Sequence, residues 1–129
     1  MDARGEIENT LFRWTWYFDM QQIDKIGECF SEDAEYEFDT GDIKVGREAI
    51  VEELRRRRAR YGDSAPRHVN TNVFVAEQSD SEATVKSFVM AIASRGESDR
   101  QIIRPMSIWH DEFVNVNGAW LIRKRSVEV

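Results

Sequence analysis

The chain has 129 residues, 41% of them hydrophobic, which suits one compact domain with its own core. Its formal net charge of −6 argues against a general nucleic-acid binder, and no stretch approaches the roughly 18 apolar residues of a membrane helix. The opening MDARGEIENT is acidic and polar, with no apolar segment of a signal peptide, and the single cysteine, Cys29, excludes an intramolecular disulfide; a cytoplasmic setting fits best.

Residues 6–18 (EIENTLFRWTWYF) carry Ile7, Leu11, Trp14 and Phe18 at helical spacing. Phe12 and Trp16 add a second apolar face, so this first helix is expected to be buried on two sides. A second helix is predicted at about 22–30, with Ile23, Ile26, Cys29 and Phe30 inward, followed by a short strand over 34–38 (AEYEF). A third helix starts after Gly46 and runs to about Tyr61, where GDSAP breaks it. Its apolar stripe is Ile50, Val51, Leu54 and Tyr61. The arginine run 55–58, with Arg60 behind it and Glu48, Glu52 and Glu53 one turn earlier, reads as a solvated helix face rather than a phosphate-binding patch.

Everything after Pro66 reads as strand: 67–77, 82–93, 101–114 and 119–127. ASRGESDR, containing Gly96, is expected to be a polar hairpin loop, and Asn117-Gly118 signals a tight hairpin turn. There is no internal repeat or linker, so residues 1–129 form one domain. Helices followed by an antiparallel meander predict an α+β fold, a cone in which a strongly curved antiparallel sheet wraps around N-terminal helices. A small ligand would enter at the open end. Strands that fill the core on one side still carry large apolar groups for the other, which predicts a homodimer packed through strands that include Trp109 or its neighbours.

One strand raises a chemical question. RHVNTNVFV, residues 67–75, alternates so that Val69, Thr71, Val73 and Val75 share one face and His68, Asn70, Asn72 and Phe74 the other. A face holding an imidazole and two carboxamides is either wet or lines a polar pocket.

Several segments taken together resemble SnoaL-like proteins of the nuclear-transport-factor-two-like (cystatin-like) superfamily. They are Asp19, Phe30-Ser-Glu-Asp-Ala34, Gly46-Arg-Glu-Ala-Ile50, Arg67-His68-Val-Asn-Thr71-Asn72 and Asn117-Gly-Ala-Trp120-Leu-Ile-Arg123. Their order and spacing cover nearly the whole chain. The closest functional pattern is similar to scytalone dehydratase and hexachlorocyclohexane dehydrochlorinase, which eliminate water or HCl without a cofactor through an Asp–His dyad. The resemblance places Asp19, at the end of the first helix, on their aspartate and His68 on their histidine. Arg125, five residues after Trp120, falls where the dehydrochlorinase has an active-site arginine. The chain ends soon after Arg125, so the tail that helps cover the pocket in those enzymes is not expected. The superfamily also includes ketosteroid isomerases, polyketide cyclases and non-catalytic members, so fold alone does not name the reaction.

The dyad makes chemical sense by itself. A neutral imidazole is a competent base near neutral pH when held in one tautomer. A carboxylate accepting from one ring N–H fixes that tautomer and stabilises the imidazolium formed when the other nitrogen takes a proton. The plain alternative is a core or rim histidine beside a helix-capping aspartate. Trp14, Tyr17, Tyr36 and Asn72 are secondary candidates for the pocket, and a tyrosine hydroxyl suits an enolate oxygen. His110, in IWHDEF, would be a second pocket histidine like the one scytalone dehydratase has on a sheet strand; an outward position is the alternative. Two histidines without HxH or HExxH spacing predict no metal site. The resulting expectation is a cofactor-independent lyase, isomerase or cyclase acting on a small hydrophobic molecule, with dehydratase-like elimination foremost. A ligand-binding dimer without catalysis is the other reading.

Overall fold

The structure, a computed structural model, describes residues 1–95 and 98–129. Helix α1 spans Ala3–Asp19, α2 spans Ile23–Ile26 and runs into a single tight turn over Gly27–Cys29, and α3 spans Arg47–Ala59. The strands are β1 (Phe30–Glu37), β2 (Ile43–Val45), β3 (Pro66–Gln78), β4 (Glu82–Arg95), β5 (Ser98–Ile103), β6 (Ser107–Val116) and β7 (Ala119–Glu128). They form one sheet in the order β2-β1-β7-β6-β4-β3, with β5 joined to the far end of β4. Every pairing is antiparallel except that of β1 with β7, so the expected meander carries one parallel neighbour. No helix among the described residues is long and apolar enough to cross a membrane.

Helix α1 begins where Asp2 accepts the Gly5 N–H at 2.8 Å, a side-chain cap on an otherwise unpaired donor. Its buried stripe, Ile7, Leu11, Trp14 and Phe18, lies against the sheet. The second face behaves differently from expectation: Trp16 is 64% exposed and Phe12 43%, so within one chain α1 is covered on one side only. Gly46 precedes α3 at φ +95°, a backbone that suits glycine, and Ile50 and Leu54 then carry α3 into the core. At the other end of the chain Asn117 and Gly118, at φ +53° and +93°, make the tight turn between β6 and β7.

Among the irregularities of the sheet, two bear on the expectations for strands 67–77 and 101–114. Strand β3 slips register against β4 between Thr71 and Phe74, with Asn72 at φ +52°. This bulge reverses the alternation. His68 and Asn70 point inward before it, whereas Val73 and Val75 pack on the core after it and Phe74 is 61% exposed. The single strand expected over 101–114 is two strands, broken at Arg104-Pro105-Met106, because Pro105 brings no N–H to the ladder. β6 pairs with the first half of β4 and β5 with its end. Strand takes up both flanks of the predicted hairpin loop, since β4 runs to Arg95 and β5 starts at Ser98; Gly96 lies outside the described residues.

The core also encloses an ion pair. Arg125 is 0% exposed and Asp111 1%, and the guanidinium donates to both carboxylate oxygens, at 2.6 and 3.0 Å. Arg125 lies 3.7 Å over the Trp109 ring. Burial pushes the Asp111 carboxyl up, against the pull of Arg125. Cys29 is buried as well, which pushes its thiol up to about 11 and leaves it a small apolar filler rather than a nucleophile.

Candidate active site

The concave face of the sheet and the helices enclose an open cavity of about 550 Å³, a size that suits a small organic molecule. Its inner wall is aromatic and apolar: Trp14 and Phe18 from α1, Tyr36 and Phe38 from β1 and its end, Leu54 from α3, and Trp109 from β6. His68 is the histidine on that wall, and Arg57, Arg60 and Arg104 lie in the lining with Asp39.

His68 stands on β3 opposite Ala91, whose small side chain leaves room above the sheet. The imidazole is held edge-on by Trp14 and Phe18, with ring centres 5.5 and 5.2 Å away. Asp19, the last residue of α1 and 7% exposed, grips this residue twice. One carboxylate oxygen accepts the His68 backbone N–H at 2.6 Å, and the other lies 2.6 Å from Nδ1. The double contact sets both the height of the strand and the plane of the ring. In a neutral ring with the carboxylate accepting, Nδ1 would carry the proton and Nε2 would offer its lone pair. Among the described residues Nε2 has no protein partner.

The end of α1 is itself clamped. Arg58 is buried and donates to the main-chain oxygens of Phe18 at 2.9 Å and Asp19 at 3.2 Å, adding a side-chain tie to a closing turn in which Phe18 also accepts the Gln21 N–H. The arginine run is therefore not one solvated face. Arg55 holds the exposed Asp24, Arg56 the buried Glu53, Arg57 reaches the cavity, and Arg58 fixes the helix end that carries Asp19. A sequence signal for Arg58 existed: it follows Ile50 and Leu54 at four-residue intervals on the buried stripe.

The other expected site residues divide. Trp14 and Tyr36 line the cavity. Burial pushes the Tyr36 phenol up, against the pull of Arg125, so at neutral pH it remains an O–H donor. Arg125 is not in the lining; it is sealed behind the Trp109 ring, which corrects its expected place as an active-site arginine. Asn72 is displaced outward by the bulge and accepts from the Thr71 hydroxyl at 3.1 Å. Tyr17 is half-buried at the edge of the core, outside the cavity. His110 projects from the outer face of the sheet, 3.0 Å from a Glu128 carboxylate oxygen. Trp109 itself points inward at 3% exposure, so of its strand only the neighbouring residues, such as Ile108, face outward. Among the described residues no three His, Cys, Asp or Glu side chains gather as a metal site would require.

A curved sheet closed by helices around a histidine-bearing cavity defines a cystatin-like α+β scaffold. The sequence agrees: residues 1–126 match the SnoaL-like domain, and the chain belongs to that family. Its structure is similar to Aln2 from a Streptomyces species, with a TM-score of 0.86 at 22% identity over 97% of this chain and 88% of that one. It is similar to a candidate scytalone dehydratase from Novosphingobium aromaticivorans, with a TM-score of 0.82 at 25% identity over 96% and 81%. A Catenulispora acidiphila protein in complex with S-DNPA matches with a TM-score of 0.84 at 24% identity over 97% and 91%. Comparison with proteins of curated function finds no match.

Proposed function

We propose that the protein is a cofactor-independent enzyme that removes a proton from a carbon next to a carbonyl of a small, largely hydrophobic molecule. His68 Nε2 is the base, Asp19 orients the ring and stabilises the imidazolium, and the Tyr36 hydroxyl donates to the developing enolate oxygen. The observation that carries this reading is the 2.6 Å contact of Asp19 with His68 Nδ1 on the wall of an open cavity. Departure of a β-hydroxyl as water, taking the proton that His68 Nε2 then holds, gives dehydratase-like elimination, which the likeness to a candidate scytalone dehydratase favours. Reprotonation or attack on a second carbonyl would instead give isomerase or polyketide-cyclase chemistry from the same carbanion.

The test is a screen of β-hydroxy ketones on aromatic or polycyclic frames, followed in deuterium oxide. Elimination, or exchange at the α-carbon, is expected with the parent protein. With Asp19→Asn it should fall ~10²-fold or more in kcat, with KM changed far less, because the amide neither fixes the tautomer nor stabilises the imidazolium. An Asp19→Asn variant of parental kcat contradicts the dyad.

We also propose that two copies pair through the outer sheet face. Cross-strand partners Val69 and Met90, Phe88 and Ile108, and Ile92 and Ile103 gather there, and Phe88 is 43% exposed. Sedimentation should give a dimer at micromolar concentration and a monomer for Phe88→Glu; a monomeric parent protein removes the proposal.

A further inference from the structure

The cavity has an electrostatic bias that proton abstraction alone does not require. Three arginines, Arg57, Arg60 and Arg104, line it against one acidic side chain, Asp39, in a chain of net charge −6. Arg57 is already matched: it lies 3.1 Å from Asp39 and 3.5 Å from Glu53, with its guanidinium 4.0 Å over the Phe38 ring. His68 is matched by Asp19. On the surface, Arg4, Arg55, Arg56 and Arg123 each hold a carboxylate.

Arg60 and Arg104 do not. Among the described residues neither has a carboxylate partner, and both are exposed in the cavity lining. Arg104 sits at the proline break between β5 and β6, its backbone N–H tied to the Ala91 carbonyl at 2.8 Å. Its guanidinium lies 5.7 Å from the Tyr61 ring centre, next in sequence to Arg60. Two uncompensated cations on one concavity repel each other and attract an anion, and the planar guanidinium fork is matched to a carboxylate. Behind them the wall is aromatic.

We propose that the substrate is an anionic planar molecule, an aromatic or polycyclic frame bearing a carboxylate. The rings fill the space between Trp14, Phe18 and Trp109, and the carboxylate is held at the mouth by Arg60 and Arg104. Placing the reacting carbon at His68 rests on the proton-abstraction reading; the anion subsite does not. Arg60 and Arg104 are then the specificity-determining residues, and they act on binding rather than on the chemical step.

Trp14 and Trp109 line the cavity, so quenching of tryptophan fluorescence reads occupancy. The matched probes are a naphthalene carboxylate and its methyl ester, titrated at low and at moderate salt. They are applied to the parent protein, to the double variant Arg60→Gln/Arg104→Gln and to His68→Gln. The carboxylate is expected to bind the parent ~tenfold or more tightly than the ester, a margin typical of charge-assisted hydrogen bonds. Salt should erode that preference, because the two arginines are exposed. The double variant should lose it with ester binding unchanged, and His68→Gln should keep it. An ester that binds the parent as tightly as the acid overturns the anion subsite and leaves the base at His68 standing. So does a double variant that still prefers the acid. Absence of quenching by either probe at millimolar concentration also overturns it. An acid preference kept in all three proteins assigns the effect to another group and rejects Arg60 and Arg104.

Discussion

Replacing His68 with glutamine is expected to lower kcat/KM by about 10²–10⁴-fold, the usual contribution of a positioned general base. Glutamine is chosen over alanine because the imidazole fills space between Trp14 and Phe18, and removing it would enlarge the cavity. The loss should fall on kcat, since the aromatic wall that binds the substrate stays in place. The thermal midpoint should change little, because His68 faces the cavity and is not sealed in the core. A glutamine variant that turns over at the parental rate would remove the imidazole from the mechanism.

The largest effect on stability is expected elsewhere, at the ion pair beneath the cavity floor. Asp111→Ala leaves the Arg125 guanidinium fully buried with its bidentate partner gone, and breaking a buried pair on one side typically costs about 3–5 kcal/mol. In a domain of this size that lowers the melting temperature by roughly 10 °C or more. The paired replacement Asp111→Leu with Arg125→Met removes both charges together and should recover most of the loss. Thermal denaturation of the three proteins checks this. A single variant as stable as the parent would mean that solvent reaches Arg125. A double variant as weak as the single would assign the cost to packing over Trp109 instead of to charge.

The same pair marks where the sequence stops being informative. In AWLIRKRSV the arginines at 123 and 125 share one face by strand alternation, and nothing local separates them. What separates them is a bulge at Arg123, where the pairing slips from Phe113–Ile122 to Glu112–Lys124; it turns Arg125 inward, opposite Asp111 on β6, whereas Arg123 holds the exposed Glu82. Helices α1 and α3 were legible because Ile7, Leu11, Trp14 and Phe18, and then Ile50 and Leu54, repeat at the helical period. The bulge in β3 was not, because the left-handed backbone at Asn72 is selected by pairing with β4 and asparagine is merely permissive of it. Strand β2, three residues long, carries no periodic signal at all. Pro105 breaks the strand that was expected to run unbroken over 101–114, and Arg104 lines the cavity at that break. The meeting of Asp19 and His68 lay beyond periodicity and spacing; the family resemblance supplied it, and the geometry brings the two groups together.

The account turns on Asp19 holding the neutral His68 ring with its proton on Nδ1 and its lone pair on Nε2, open to the cavity. Nitrogen–proton correlation spectra of protein labelled in its histidine rings report that tautomer directly and need no substrate. The two histidines are told apart by a His110→Gln variant, whose side chain lies on the outer sheet face. The predicted result is the Nδ1–H form for neutral His68 in the parent protein, shifting towards a mixture in Asp19→Asn. A neutral His68 ring protonated on Nε2 in the parent, or a tautomer indifferent to Asp19→Asn, would contradict it.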